Sequence, residues 1–343
     1  MYTNDNTWKK LQAFLPERNR IGSCCAPAET FSSFGAADIH LDVYNEQNNN
    51  GVTLVLFHGV GGNGRLLSFI AVPLARLGYK IVCPDLPGYG YTEYEGVPTY
   101  TTWIDAGVYI VQRELPCCKK LFVLGLSAGG MLAYNIACLV RGVSGIIVTT
   151  LLDNRFKEVR EYSAKNKVQA HIALPLLPFI PRFIRRLKIP VRTVTNMKAI
   201  VNDERILSLL LRDKRGAGSS VYLGFLCSMM ESVPIAEPEA FRLPLLLCHP
   251  EKDRWTPERI SRLFFDRIRG AKELRVLENA GHFPIEQPGI GQLEEAIVSF
   301  IKKYFRRIKT MNDKIISMDE YWADDGKPPH WRLEKRLGSK IHN

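Results

Sequence analysis

The chain of 343 residues has no run of the roughly 18 to 20 consecutive apolar residues that a membrane-spanning helix requires. Residues 1–20 are mostly polar, carry Trp8, Lys9 and Lys10, and lack the apolar central run of a secretory signal. A cytoplasmic protein is therefore expected. None of the eight cysteines falls in a CxxC pair, and no ligand spacing suits a metal. Neither a disulfide framework nor a metal centre is expected, and the adjacent pairs Cys24-Cys25 and Cys117-Cys118 are expected to be reduced. Internal repeats, long low-complexity runs and nucleic-acid-binding motifs are also missing, so no nucleic-acid partner is expected.

The composition is ordinary for a globular protein, with 46% hydrophobic and 24% charged residues. Its formal charge is +11. Such an excess suits a solvated basic surface or contact with an anionic membrane. The solvated surface is the simpler reading.

Short β-rich runs alternate with helical patterns, which points to a mostly parallel sheet covered by helices. Val52 to Phe57, Tyr79 to Cys83, Lys120 to Leu126, Gly145 to Thr150, Leu243 to Cys248 and Glu273 to Leu277 read as strands. Leu66 to Leu77, Thr101 to Leu115, Ala128 to Val140, Pro257 to Ile268 and Gln292 to Phe305 read as helices. Between about Leu152 and Pro238 the alternation stops, and proline-broken helical patterns without an evident strand take over. The expected organisation is a sheet core at 1–151 and 239–305, a helical insertion at 152–238, and a polar extension at 306–343.

Four motifs carry chemistry. Gly125-Leu126-Ser127-Ala128-Gly129 follows a buried strand and opens a helix. A serine on such a turn projects its hydroxyl above the sheet edge, where the positive helix N-terminus favours developing negative charge. His58-Gly59-Val60-Gly61-Gly62-Asn63-Gly64 ends an earlier strand, and its glycines expose backbone N–H groups. The N–H of Val60 is expected to pair with that of Ala128 as an oxyanion hole. His58 is expected to brace this loop by hydrogen bonding. Gly281-His282-Phe283-Pro284 follows the last strand and can bring an imidazole to Ser127 as base. His249-Pro250-Glu251-Lys252-Asp253-Arg254-Trp255-Thr256-Pro257 supplies Asp253 to orient that imidazole. Glu251 and Asp153 compete for the role; Asp253 is favoured by its loop position and by the order Ser, Asp, His. His40, His171, His249, His330 and His342 are assigned no chemistry.

With these motifs, and with Leu56-Phe57-His58-Gly59 and Asp85-Leu86-Pro87-Gly88-Tyr89-Gly90, the sequence resembles the α/β-hydrolase superfamily over about Val52 to Phe305. Within it the chain is similar to lysophospholipase and monoacylglycerol-lipase-like serine esterases. The resemblance implies an α/β fold with helices on both faces of the sheet and a helical cap at the insertion. It implies Ser127 as nucleophile, Asp253 as acid, His282 as base, Val60 and Ala128 as oxyanion donors, and a structural Asp85. The acid loop departs from the family in reading Cys248-His249-Pro250-Glu251 where a glycine is common. The tail after Phe305 also lies outside the pattern. A serine nucleophile argues against the related dehalogenases and epoxide hydrolases, which use aspartate.

The expected activity is hydrolysis of a small-molecule carboxylic ester with an apolar acyl group, through an acyl-enzyme and without a cofactor. Alternatives on the same triad are an acyltransferase, a thioesterase or a cofactor-free haloperoxidase; a ligand-sensing protein on the same fold is another. Ile172 to Ile189 allows two readings. Its apolar residues line the acyl pocket with Arg182, Arg185 and Arg186 in solvent, or the segment lies on anionic lipid. The pocket reading is favoured.

Overall fold

The computed structural model describes residues 1–22, 25–163 and 180–306. The chain divides into two units, Met1–Tyr304 and Phe305–Asn343, and the sheet with its connecting loops belongs to the first. The extension expected at 306–343, like residues 172–179 of the apolar stretch, lies outside the described residues, apart from the backbone of Arg306.

A short helix α1 (Asn6–Gln12), its N-terminus capped by the Asp5 carboxylate, precedes the hairpin β1 (Ala28–Phe34) and β2 (Ala37–Tyr44). Then come β3 (Val52–Phe57), α2 (Ser68–Arg76), β4 (Lys80–Pro84), the two-residue β5 (Glu93–Tyr94), α3 (Tyr100–Glu114), β6 (Lys120–Gly125), α4 (Ala128–Leu139) and β7 (Val143–Val148). The insertion contains α5 (Lys157–Ser163), β8 (Lys188–Pro190), α6 (Val191–Val194), α7 (Glu204–Arg212), β9 (Ser220–Tyr222) and α8 (Leu223–Glu231). The chain returns with β10 (Leu245–Pro250), α9 (Glu258–Phe265), β11 (Lys272–Leu277) and α10 (Gly289–Arg306).

Nine strands form one sheet in the order β1-β2-β4-β3-β6-β7-β10-β11, with β5 beside β2. Pairing is parallel from β4 through β11 and antiparallel where β2 meets β1, β4 and β5. The α/β architecture with a mostly parallel sheet is the one expected. β3, β7 and β10 are buried along their whole length, and β6 except at Lys120, which is why they read as continuous apolar runs. The hairpin β1–β2 escaped the sequence reading.

β7 and β10 are parallel neighbours, so residues 149–244 leave the sheet and return to it. Among its described residues that excursion contains one antiparallel strand pair, β8 with β9, where only helical patterns were expected. Three-residue strands are too short to leave a periodicity in the sequence. No helix among the described residues is long and apolar enough to cross a membrane.

Register sets the location of the site. Phe57 pairs with Gly125, Gly125 with Val148, Leu247 with Val148, and Pro250 with Leu277. The carboxyl ends of five adjacent parallel strands therefore lie along one edge. The loops leaving them carry Val60, Ser127, Thr149, Asp253 and His282 respectively, at the edge where parallel α/β sheets place their sites.

Candidate active site

Ser127 occupies the turn between β6 and α4 with φ 57° and ψ −125°. A non-glycine residue at positive φ costs on the order of 1–3 kcal/mol and persists only where its surroundings enforce it. Two threonines at the end of β7 do so. The Ser127 N–H donates to Thr149 Oγ1 at 3.0 Å, and Thr150 Oγ1 donates to the Ser127 carbonyl at 3.0 Å. Close packing completes the enforcement. A Cβ on Gly125 would lie 1.9 Å from the Gly129 carbonyl oxygen, and one on Gly129 would lie 2.4 Å from that of Phe57. The glycines of the motif are there for close approach. The threonines were missed because a Thr-Thr pair at a strand end is unremarkable until register aligns it with the serine.

Ser127 Oγ donates to His282 Nε2 at 2.7 Å, and His282 Nδ1–H donates to Asp253 Oδ2 at 2.8 Å. Asp253 Oδ1 accepts from the N–H groups of Trp255 and Thr256, each at 2.8 Å, and Oδ2 accepts from the Thr256 hydroxyl at 2.8 Å. Burial by itself would raise the Asp253 carboxyl. Interaction with His282 and the Thr256 bonds outweigh it and bring the group down to about 2. The carboxylate is thus ionised and directed at the imidazole. Trp255 packs beside the His282 ring with centroids 4.7 Å apart.

The rival acids have other partners, although Asp153 lines the same pocket as Ser127. The Asp153 carboxylate is taken by Arg155, whose Nη2 donates to Oδ2 at 2.8 Å. Glu251 accepts from the Asn279 N–H at 2.9 Å on the exposed side of the loop.

His58 braces its loop. The Leu86 N–H donates to Nε2 at 2.9 Å, so the proton sits on Nδ1, which donates to the Gly59 carbonyl at 2.8 Å. Burial pushes the His58 pKa down and keeps the ring neutral. Asp85 is a structural hub, accepting from Gly64 N–H, Tyr91 N–H and the Tyr2 hydroxyl at 2.7, 2.8 and 2.9 Å. His249 closes the acid loop, its ring nitrogens 3.0 Å from the carbonyls of Pro250 and Thr256. His40 lies against Asp85, with Nδ1 3.0 Å from Oδ2. His171, His330 and His342 lie outside the described residues.

Val60 and Ala128 both line the pocket above Ser127. Among the described residues neither of their backbone N–H groups has a hydrogen-bond partner. Two donors beside a serine hydroxyl, one of them at the N-terminus of α4, can receive a developing oxyanion.

The pocket is open to solvent, with about 720 Å³ of space within its bounds when the solvent at its mouth is included. Core residues Tyr100, Met131 and Asn135 form one part of its wall; Leu152, Met229, Met230, Val233 and Pro234 of the insertion form another. A second, smaller pocket, also open to solvent, adjoins it, sharing Val60, Ser127, Trp255 and His282, and is walled by Leu66, Leu67, Ile200, Leu210 and Phe283. Residues 180–189 line neither. The pocket role expected for this part of the stretch is therefore corrected. It is one helical turn followed by the short strand β8, so no continuous helix exists to present a single apolar face inward.

Among the described residues, Glu29, His40 and Asp42 alone bring three ligand atoms close enough for a metal. The Arg65 guanidinium already bonds both acids, Glu29 at 2.7 Å and Asp42 at 2.6 and 2.9 Å.

The sequence model of the alpha/beta hydrolase family matches residues 54–290. A thermostable monoacylglycerol lipase of a Bacillus species is 31% identical over 105 residues, 29% of this chain and 40% of that protein. A pimeloyl-[acyl-carrier protein] methyl ester esterase of Aeromonas salmonicida is 37% identical over 98 residues, 28% of this chain and 36% of that protein. The matched region thus spans well under half of either curated relative. A soluble variant of the monoglyceride lipase of Saccharomyces cerevisiae, solved with a substrate analogue, superposes with a TM-score of 0.66 at 19% identity, covering 87% of this chain and 99% of that one. The monoacylglycerol lipase of Paleococcus ferrophilus gives 0.60 at 18% identity, covering 78% and 99%. At these identities the likeness shows the fold.

Proposed function

The chain belongs to the alpha/beta hydrolase family, and from that membership we propose that it is a serine hydrolase cleaving carboxylic esters with an apolar acyl group. The observation that carries the reading is the hydrogen-bonded chain Asp253–His282–Ser127 at 2.8 and 2.7 Å. Lipases and esterases among its relatives support ester hydrolysis as the reaction class.

In this mechanism Ser127 Oγ attacks the ester carbonyl while its proton passes to His282 Nε2. The ionised Asp253 stabilises the resulting imidazolium and holds its tautomer. The Val60 and Ala128 N–H groups receive the oxyanion. Collapse of the tetrahedral intermediate breaks the carbonyl–alkoxide bond, and the imidazolium returns the proton to the departing alcohol. Water then repeats the sequence on the acyl-enzyme and releases the acid. The methionine-rich wall of the larger cavity supports an apolar acyl group, since Met side chains adapt to flexible chains.

Rates on p-nitrophenyl esters of increasing acyl length test the reading. The expected profile rises from acetyl to longer chains. Ser127→Ala should lower turnover by at least about a thousandfold and abolish labelling by a fluorophosphonate. Labelling that persists in that variant, or an acetyl ester as best substrate, would overturn the assignment. Activity that appears only with an alcohol acceptor in place of water would make the protein an acyltransferase.

A further inference from the structure

Residues 180–202 contain six Arg or Lys and no Asp or Glu. At their centre is a single helical turn, Ile184–Arg186. On either side of it Phe183 is 74% exposed and Leu187 56% exposed, the two most exposed large apolar side chains among the described residues. Arg182, Arg186, Lys188 and Arg192 are exposed around them.

This surface is folded. Arg185 Nε donates to the Ile180 carbonyl at 3.1 Å, the Leu223 N–H donates to the Leu187 carbonyl at 3.0 Å, and β8 pairs with β9. Holding an aromatic and a leucine in water costs free energy that burial would recover. Cations surrounding such a pair identify the missing partner as both apolar and anionic.

We propose that this face docks onto a bilayer containing anionic phospholipid. Phe183 and Leu187 enter the headgroup–acyl boundary, while Arg182, Arg186, Lys188 and Arg192 engage lipid phosphates. A bilayer supplies both at once, phosphates for the cations and an acyl phase for Phe183 and Leu187, whereas a nucleic acid backbone supplies only the first.

The position of the face gives it a use. Helix α8 begins against it, since a Cβ on Gly224 would lie 3.1 Å from the Arg185 carbonyl oxygen. The other end of α8 supplies Met229 and Met230 to the pocket over Ser127. The helix has nine residues and so is about 13 Å long. The docking face is thus joined by one short helix to the wall of the pocket that holds the candidate nucleophile. The docking face itself does not depend on Ser127 acting as nucleophile.

Sedimentation of the full chain with phosphatidylcholine vesicles, with and without phosphatidylglycerol, tests the proposal. Binding is expected only with phosphatidylglycerol and should weaken at high salt, because exposed charge attraction is screened. Arg182→Gln with Arg186→Gln should weaken partitioning about 25-fold, at about fivefold per cation. Phe183→Ser with Leu187→Ser should also release the protein from vesicles while leaving its retention on heparin unchanged. All four positions are solvent-facing or partly so, and unaltered circular dichroism and unaltered hydrolysis of a short soluble ester verify the fold. That soluble-ester rate also separates a failure of the docking face from a failure of the serine assignment. Equal binding to pure phosphatidylcholine overturns the proposal, as does wild-type vesicle binding by the Phe183/Leu187 variant. Loss of heparin and vesicle binding together in that variant would assign the face to a polyanionic macromolecule instead.

Discussion

Gly59 and Ser127 meet across the gap between the ends of β3 and β6, so closely that a Cβ on Gly59 would lie 2.8 Å from that of Ser127 and 3.0 Å from the Leu126 carbonyl oxygen. The first distance is shorter than carbon atoms tolerate, and the second involves backbone with little freedom to yield. Gly59 is thus required by the space it leaves for the serine.

Gly59→Ala should therefore displace Ser127 Oγ from His282 Nε2. A misplacement of about 1 Å costs turnover on the order of a hundredfold, and overpacking of this kind costs about 1–3 kcal/mol of stability. Steady-state kinetics with urea denaturation checks both. Wild-type turnover in a folded Gly59→Ala protein would show that the loop yields to the added methyl group.

Asp253→Asn leaves the shape of the loop nearly intact but replaces the acceptor facing His282 Nδ1. Turnover should fall by about four orders of magnitude, because the imidazole loses its orienting charge. Asp153→Asn and Glu251→Gln should retain most activity, since Arg155 and the Asn279 N–H are their partners. A larger loss in Asp153→Asn than in Asp253→Asn contradicts the assignment of the acid.

The same carboxylate predicts a stability change in acid. Its folded-state value is about 2 against an ordinary 3.8, so the ionised form favours the folded state. That contribution is complete above the ordinary value and disappears as pH falls through about 2. From a depression of somewhat under two units it is worth about 2 kcal/mol. The denaturation midpoints of the wild type and Asp253→Asn should therefore converge as pH is lowered from 5 toward about 2. A gap that stays constant over that range would place the origin of the stabilisation elsewhere.

Thr149→Val removes the acceptor for the Ser127 N–H while keeping side-chain volume. Leaving that donor unsatisfied costs about 1–3 kcal/mol, and the strained φ of Ser127 loses one of its two braces. kcat should drop roughly tenfold to a hundredfold with KM little changed, since a small shift of the nucleophile is felt mainly in the transition state. An effect on KM alone would mean that Thr149 shapes the pocket and leaves Ser127 in place.

Much of the core was readable because its signals are local. Val52 to Phe57 is an apolar run bounded by turn residues, and β3 has those limits. Gly125 to Gly129 identifies its strand, turn and helix within five residues, because backbone sterics act between near neighbours. The chain order Ser127, Asp253, His282 likewise follows from the sequence alone.

The tertiary structure decided whatever depends on residues remote in the chain. Sequence order favoured Asp253, but its contact with His282 needs the loops after β10 and β11 to be neighbours, and within the β10 loop it needs Asp253 to turn inward while Glu251 turns to the Asn279 N–H on the exposed side. Thr149 and Thr150 reach Ser127 only because Val148 is in register with Gly125. Phe183 and Leu187 were expected to face a pocket and are exposed, and the strand that follows them, β8, is held by β9, where Lys188 pairs with Tyr222 far along the chain. Local composition sets which elements form. The direction in which a side chain points is set by which elements pair and in what register, and that information is distributed over the whole chain.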